Sequence, residues 1–211
     1  MTITDNLNND ISDAPTWFKE SISIKGTELC IENKDGKIAY SKWNSKTESD
    51  NLLIFIHGTG AHKKWWDPIA PQFLNDSNVI AVDLPGMGDS DFRETYSITD
   101  FGKCIFEIIK KEMKEMNIKN IFIVGHSLGG QVAAYVASEN KNLVTSLIMI
   151  DTFIRPPDYD PSQHEGGPLR KIKHYADKIT ILERFRLMPK QECDNTWFLR
   201  YIAEYSVKET S

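Results

Sequence analysis

The 211-residue sequence has no apolar run long enough to cross a membrane, for which a helix needs about 18 to 20 residues. Its longest apolar stretches, LLIFI at 52–56 and LIMI at 147–150, have the length of strands. Residues 1–15 carry neither the basic nor the apolar segment of a secretory signal and are predicted to be a disordered, polar tail. We therefore expect a cytoplasmic protein with no membrane partner.

Cysteine is scarce, and positive charge is not in excess. The three cysteines, Cys30, Cys104 and Cys193, lack metal-ligand spacing, and each is predicted to be a buried small side chain. A net charge of −5 argues against a nucleic-acid partner. No motif implies a metal or an organic cofactor, and the oligomeric state is left open.

Four short runs are apolar at nearly every position, as strands buried on both faces of a parallel sheet are. They are LLIFIHG (52–58), NVIAVDLPG (78–86), NIFIVGHS (120–127) and LVTSLIMIDT (143–152). Helical spacing of apolar residues separates them over 98–116 and 129–140. Strands that alternate with helices predict an α/β fold with a doubly wound, mostly parallel sheet, which we place at residues 16–152.

The two ends of this region have a different character. FKESISIKG, TELCIEN and KIAYSKW (37–43) alternate with period two and predict an antiparallel opening to the sheet. After Phe153 a loop rich in Pro, Gly and Asp (154–168) precedes two helical patterns at 169–188 and 194–209, so residues 153–211 are predicted to form a helical cap. No apolar strand pattern follows Ile150.

The pattern G-x-S-x-G occurs as Gly125-His126-Ser127-Leu128-Gly129 between a strand and a helix. A nucleophilic serine in such a sharp turn needs small neighbours, because the surrounding backbone packs closely, and the following helix directs its positive end at the site. Ser127 is therefore predicted to be a nucleophile. His126 is interpreted as a structural or pocket-lining residue.

A second motif, His57-Gly58-Thr59-Gly60, follows the strand LLIFI. Serine hydrolases stabilise the oxyanion with one N–H from the residue after the nucleophile and another from a loop after an earlier strand. The Leu128 and Thr59 N–H groups fit these two roles. His57 is interpreted as a residue that holds the loop by a hydrogen bond, not as a catalytic base.

In this order, the segments FIHGTGAHKKWWDPIAPQF, AVDLPGMGDSD and IVGHSLGGQVAAYVA resemble the α/β-hydrolase fold superfamily, in its ester-hydrolase-like branch. The resemblance covers residues 30–152. A fainter likeness, through ERFRLMP and YIAEYSVKE, extends to the helical cap of bacterial members. The family implies Ser127 as nucleophile, the Thr59 and Leu128 N–H groups as oxyanion hole, and a structural loop that contains Asp83, Gly86, Gly88, Ser90 and Asp91. Of Trp65 and Trp66, one is a candidate for the lining of an apolar acyl pocket, and packing alone is the alternative.

The family order Ser–acid–His leaves the base unassigned. Past Ser127 the chain contains only His164 and His174, and neither follows a predicted strand. Only 61 residues follow Ile150 (211 minus 150), and a cap would use them, whereas two further strand–helix units would need about 50 to 60 more. Asp151 is either the acid or a structural residue.

Without its base a serine is a weak nucleophile. The leading hypothesis is therefore a truncated serine hydrolase, acting on a small carboxylic ester or related carbonyl compound, whose catalytic histidine lies beyond residue 211. A serine in the G-x-S-x-G turn argues against dehalogenase and epoxide hydrolase chemistry, in which a carboxylate attacks carbon. The alternative is a non-catalytic relative that binds a ligand or a partner.

Overall fold

The computed structural model describes residues 11–154, 174–187 and 191–208. These residues fall into two compact units. One unit is Pro15–Phe153, and the other contains the described residues outside that range. Residues 1–10 of the predicted tail and nearly all of the predicted loop at 154–168 lie outside the described residues.

A six-stranded sheet forms the centre of the first unit, with the strand order β1-β2-β4-β3-β5-β6. The strands are β1 (Thr27–Asn33), β2 (Gly36–Trp43), β3 (Asn51–Ile56), β4 (Asn78–Val82), β5 (Asn120–His126) and β6 (Ser146–Ile150). The strands β3 to β6 pair in parallel, and the hairpin β1–β2 joins β4 antiparallel. The predicted mostly parallel α/β sheet is confirmed.

Apolar layers cover both faces of the sheet, because alternate residues of each buried strand point to opposite sides. On one face, Ile54 and Ile123 pack with the helices α2 (Ile98–Glu115) and α3 (Leu128–Glu139). On the other face, a smaller cluster contains two short 3-10 turns and their neighbours: Leu53, Phe55, Trp66, Ala70, Leu74 and Val124.

The prediction of a first strand in FKESISIKG is wrong, since residues Thr16–Ser23 form a helix, α1. Its buried residues, Phe18, Ser21 and Ile22, follow helical spacing, which the period-two interpretation overlooked. Of the predicted buried cysteines, Cys104 is buried and Cys193 is partly buried, but Cys30 is exposed because it lies on the solvent side of the edge strand β1.

The second unit contains two short helices, α4 (Lys178–Leu182) and α5 (Thr196–Tyr205). The predicted helix at 169–188 is shorter than expected: residues 174–177 and 183–187 are not helical, and residues 169–173 and 188 lie outside the described residues. Lys178 pairs with Glu204. Within the described ranges, no helix is both long and apolar enough to cross a membrane.

Strand β6 has an open edge in the described part of the chain, where it pairs with β5 alone. Ile148 and Ile150 are 56% and 43% exposed on it. The carboxyl end of β6 lies beside that of β5, and the pair His126↔Ile150 closes the ladder. This end of the sheet carries Ser127.

Candidate active site

Ser127 sits in a strained turn between β5 and α3. Its backbone angles are φ 50° and ψ −115°, a combination that costs a residue with a Cβ about 1–3 kcal/mol. Such strain persists only where the surroundings impose it. Together with Asp151, at φ 45°, it is one of the two non-glycine residues with positive φ that the structure describes.

Three glycines make room for this turn. A methyl group on Gly125 would lie 2.4 Å from the Gly129 carbonyl oxygen, and one on Gly129 would lie 2.3 Å from the Ile56 carbonyl oxygen. A methyl group on Gly130 would lie 2.0 Å from Oγ1 of Thr152. At each of these three positions there is no space for a Cβ. Close packing of the backbone therefore requires glycine in the motif, as expected from the sequence.

The HGTG turn lies directly against the nucleophile turn. A methyl group on Gly58 would lie 3.1 Å from Cβ of Ser127 and 2.9 Å from Nδ1 of His126. His57 is buried, with Nδ1 2.8 Å from the Gly58 carbonyl oxygen, and Nε2 accepts a hydrogen bond of 3.1 Å from the Leu84 N–H. Burial lowers the pKa of His57 below its usual 6.5, so the ring is neutral at pH 7 and holds two loops together.

Two backbone N–H groups beside Ser127 are without a hydrogen bond in the part of the chain that the structure describes: those of Thr59 and Leu128. Leu128 is the first residue of α3, whose N–H groups have no partner within the helix. Thr59 follows Gly58, where an added methyl group would lie 3.1 Å from Cβ of Ser127. Free N–H donors and a helix N-terminus stabilise negative charge. The roles of the Thr59 and Leu128 N–H groups as oxyanion donors stay a prediction.

Lys63, which the sequence did not single out, joins the loop that contains Thr59 to the loop after β4. Its ammonium group lies 2.8 Å from Oδ2 of Asp83 and 2.5 Å from Oδ2 of Asp89, and its N–H donates to Oδ1 of Asp83 at 2.6 Å. Burial acts to lower the pKa of Lys63, but the carboxylates of Asp83, Asp89 and Glu28 together outweigh it and the pKa rises above its usual value. Lys63 is therefore buried and charged at pH 7, and its ion pairs hold the two loops together.

In the loop after β4, side chains form hydrogen bonds with backbone groups of the loop itself and of β2. The resemblance implies a structural role for this loop. The Ser90 hydroxyl donates to the Asp83 carbonyl oxygen at 2.7 Å and accepts from the Ala39 N–H at 2.9 Å. The Asp91 carboxylate accepts from the Lys37 N–H at 2.8 Å. Two glycines of this loop, Gly86 and Gly88, have positive φ, and a Cβ on Gly88 would overlap the Asp83 carboxylate.

No described residue takes the part of a base. Within the described ranges, no hydrogen bond joins the Ser127 hydroxyl to an imidazole or the Asp151 carboxylate to a histidine. Asp151 is exposed and follows the last residue of β6. His174 is exposed and belongs to the second unit, and His164 lies outside the described residues.

The adjacent tryptophans have different surroundings. Trp66 is buried and stacks on Phe55 with ring centroids 4.6 Å apart, which makes it a core residue. Trp65 is half-buried next to His62, with ring centroids 6.5 Å apart. His126 is half-buried between Gly58 and Ser127. A pocket-lining role for these three residues stays a prediction.

A polar depression of about 450 Å³ lies at the opposite end of the sheet, where β3 and β5 begin. Its lining includes Asp50, Asn51, Asp76 and Lys119. Because open α/β sheets bind ligands outside the carboxyl ends of their strands, this depression is not the candidate active site. Among the residues described, no group of three or more His, Cys, Asp or Glu is placed to hold a metal ion.

The fold and the turn at Ser127 together define an α/β hydrolase. A family model described as alpha/beta hydrolase fold matches residues 51–184, well over half of the chain. The chain belongs to this family.

Named relatives fall in the same family. A probable serine hydrolase of Drosophila melanogaster is 31% identical over 79% of this chain and 48% of its own length. A pimeloyl-[acyl-carrier protein] methyl ester esterase of Pseudoalteromonas atlantica is 32% identical over 63% and 50%. Among solved structures, E-2-(acetamidomethylene)succinate hydrolase aligns with a TM-score of 0.54 at 25% identity, over 61% of this chain and 45% of that chain. The chain thus spans about half the length of these relatives.

Proposed function

We propose that this chain is the nucleophile-bearing part of a serine hydrolase that acts on a small carboxylic ester or a related carbonyl compound. The observation that carries the proposal is the strained backbone of Ser127 next to two N–H groups without hydrogen-bond partners, those of Thr59 and Leu128. The proposal is consistent with the esterase and serine hydrolase names of the relatives.

In the proposed reaction, the Ser127 Oγ attacks the carbonyl carbon of the ester. The carbonyl oxygen becomes negatively charged and accepts hydrogen bonds from the Thr59 and Leu128 N–H groups. The bond between the carbonyl carbon and the alcohol oxygen then breaks, and the alcohol leaves with the proton that Ser127 lost. Water attacks the acylated serine in turn, which releases the acid and returns a proton to Oγ. His57 takes no part in these reaction steps, because both of its ring nitrogens are already hydrogen-bonded.

A histidine must remove the Ser127 proton, and we propose that it lies beyond residue 211 in a longer form of the protein. Relatives of about twice the length and the absence of a hydrogen-bonded imidazole at Ser127 among the described residues favour this view. Asp151 is proposed as the acid or as a structural residue at the end of β6. Residues 153–211 are proposed to form part of a cap.

The test is covalent labelling with a fluorophosphonate probe. The 211-residue chain is compared with a chain extended by the next in-frame codons, with and without Ser127→Ala. The extended chain should label rapidly and lose labelling in Ser127→Ala, whereas Ser138→Ala, which alters an exposed serine of α3, should label like the parent. The 211-residue chain should label more slowly by orders of magnitude, as when a triad member is removed. Equal labelling without Ser127 would reject the nucleophile.

A second candidate function is a non-catalytic binding module. The exposed apolar edge of β6, with Ile148 and Ile150, favours it, because such an edge can pair with another strand. Coding sequence for further strands and a histidine downstream of codon 211 would favour the hydrolase. Clean termination in an intact, expressed protein would favour the binding module. Ordinary esterase rates for the 211-residue chain would reject the missing base and direct mutagenesis to His164 and His174.

A further inference from the structure

The strain in the described part of the chain is concentrated where β5 and β6 end. Both non-glycine residues with positive φ, Ser127 and Asp151, lie at this junction. The Ser127 N–H donates to the Ile150 carbonyl oxygen at 2.9 Å, one step past the final ladder pair of the two strands. The backbone of Ser127 is therefore held by the last residue of β6.

Thr152 adds a side-chain contact to this junction. Its hydroxyl lies 3.2 Å from the Ser127 carbonyl oxygen and 3.1 Å from the Ile150 carbonyl oxygen. The hydroxyl has one proton, which it donates to one of these oxygens or shares between them. Both oxygens are within reach, so Thr152 adds a second link between the end of β6 and the Ser127 backbone. The Ser127 carbonyl also accepts from the Gly130 N–H at 3.0 Å.

The side chain of Thr152 has little freedom to leave this position. A methyl group on Gly130 would come within 2.0 Å of its Oγ1 and 2.9 Å of its Cβ and Cγ2. Thr152 thus packs against the backbone of the first turn of α3, which restricts the position of its hydroxyl oxygen. Since β6 pairs with β5 alone in the described residues, no neighbouring strand there restrains this junction from the other side.

We propose that Thr152 is a positioning residue for Ser127: its hydroxyl holds the Ser127 carbonyl and thereby the φ and ψ that present the serine Oγ beside the Thr59 and Leu128 N–H groups. The predicted effect of Thr152 on the reactivity of Ser127 rests on the proposed function. Its effect on the conformation of the turn does not depend on that function.

The test uses two matched substitutions in the 211-residue chain and in its extended form. Thr152→Val keeps the shape of the side chain and removes the hydroxyl, whereas Thr152→Ser keeps the hydroxyl and removes the methyl group. The Ser127-dependent rate of fluorophosphonate labelling should fall at least about tenfold in Thr152→Val, the loss expected for one hydrogen bond that orients a nucleophile. Thr152→Ser should restore it, and the concentration of probe at half-saturation should be unchanged.

Hydrogen exchange of the peptide that contains residues 125–131 provides a reading independent of chemistry. Exchange at this turn should be faster in Thr152→Val and unchanged in Thr152→Ser. If Thr152→Val fails to fold, Thr152→Ala removes the same hydroxyl in a smaller side chain, with the same expectations.

The outcomes separate the two proposals. If the parent chains do not label, or label equally after Ser127→Ala, the proposed function is wrong and the exchange data alone decide whether Thr152 holds the turn. If Thr152→Val labels as fast as the parent through Ser127, or if exchange at the turn is the same in both variants, the positioning role of Thr152 is wrong.

Discussion

Replacing Lys63 by methionine should destabilise the first unit strongly, because it would leave the Asp83 carboxylate buried without its cation. Lys63 is 1% exposed and Asp83 is fully buried, with 2.8 Å between the charged atoms. Methionine keeps most of the side-chain volume, so the change removes charge more than packing. Breaking a buried pair by the loss of one partner costs about 3–5 kcal/mol.

The lower end of that range applies here. The Asp83 carboxylate would still accept hydrogen bonds from the N–H groups of residue 63 and Asp89, which offset part of the loss. The pKa of Lys63 is raised, so the stabilisation is present below its ordinary value of 10.5 and is lost only as the pH rises through the higher folded value. The stabilisation is therefore complete at pH 7, where about 3 kcal/mol should disappear.

Thermal unfolding at pH 7, followed by tryptophan fluorescence and circular dichroism, measures this loss. For a chain of this size the Tm should fall by roughly 6–12 °C. The control is Asp89→Asn, which removes the other short contact of Lys63: Asp89 is 51% exposed, and a solvated pair contributes less than about 1 kcal/mol. The reasoning is refuted if Lys63→Met lowers the Tm no more than Asp89→Asn does.

Two further predictions concern the loops around the site. Gly129→Ala should lower the free energy of unfolding by about 3 kcal/mol, because its Cβ would lie 2.3 Å from the Ile56 carbonyl oxygen, whereas Gly60→Ala, at φ 73° in open space, should cost only about 1 kcal/mol. Urea unfolding of both variants checks this, and equal losses would contradict it. Because the pKa of His57 is lowered, the unfolded chain binds a proton below pH 6.5 while the folded chain does not, so stability falls as the pH decreases below that value. His57→Gln should flatten this acid-side slope in urea unfolding measured at several pH values, and a slope like that of the parent would contradict the assignment.

The strand and helix pattern was determined locally and could be predicted from the sequence. Strands β3, β4 and β5 are continuous apolar runs because they are buried on both faces, and period and composition alone reveal such runs. The same composition predicted burial on both faces for β6, which is wrong: Ile148 and Ile150 are exposed, because β6 pairs with β5 alone in the described residues. The turn at Ser127 was equally local, since G-x-S-x-G between a strand and a helix demands small neighbours. The first helix was mistaken for a strand because its buried residues, Phe18, Ser21 and Ile22, lie in a stretch that also fits a period of two.

Contacts between loops that are distant in the chain were decided by the tertiary structure. Lys63 and Asp83 are 20 residues apart, and only the parallel pairing of β3 with β4 brings the loops that follow them together. Thr152 and Ser127 are 25 residues apart and meet because β5 and β6 end side by side. The sequence by itself predicted the fold and the serine that occupies the strained turn after β5. The groups that hold Ser127 and the neighbouring HGTG turn in place depend on strand register, which no local pattern encodes.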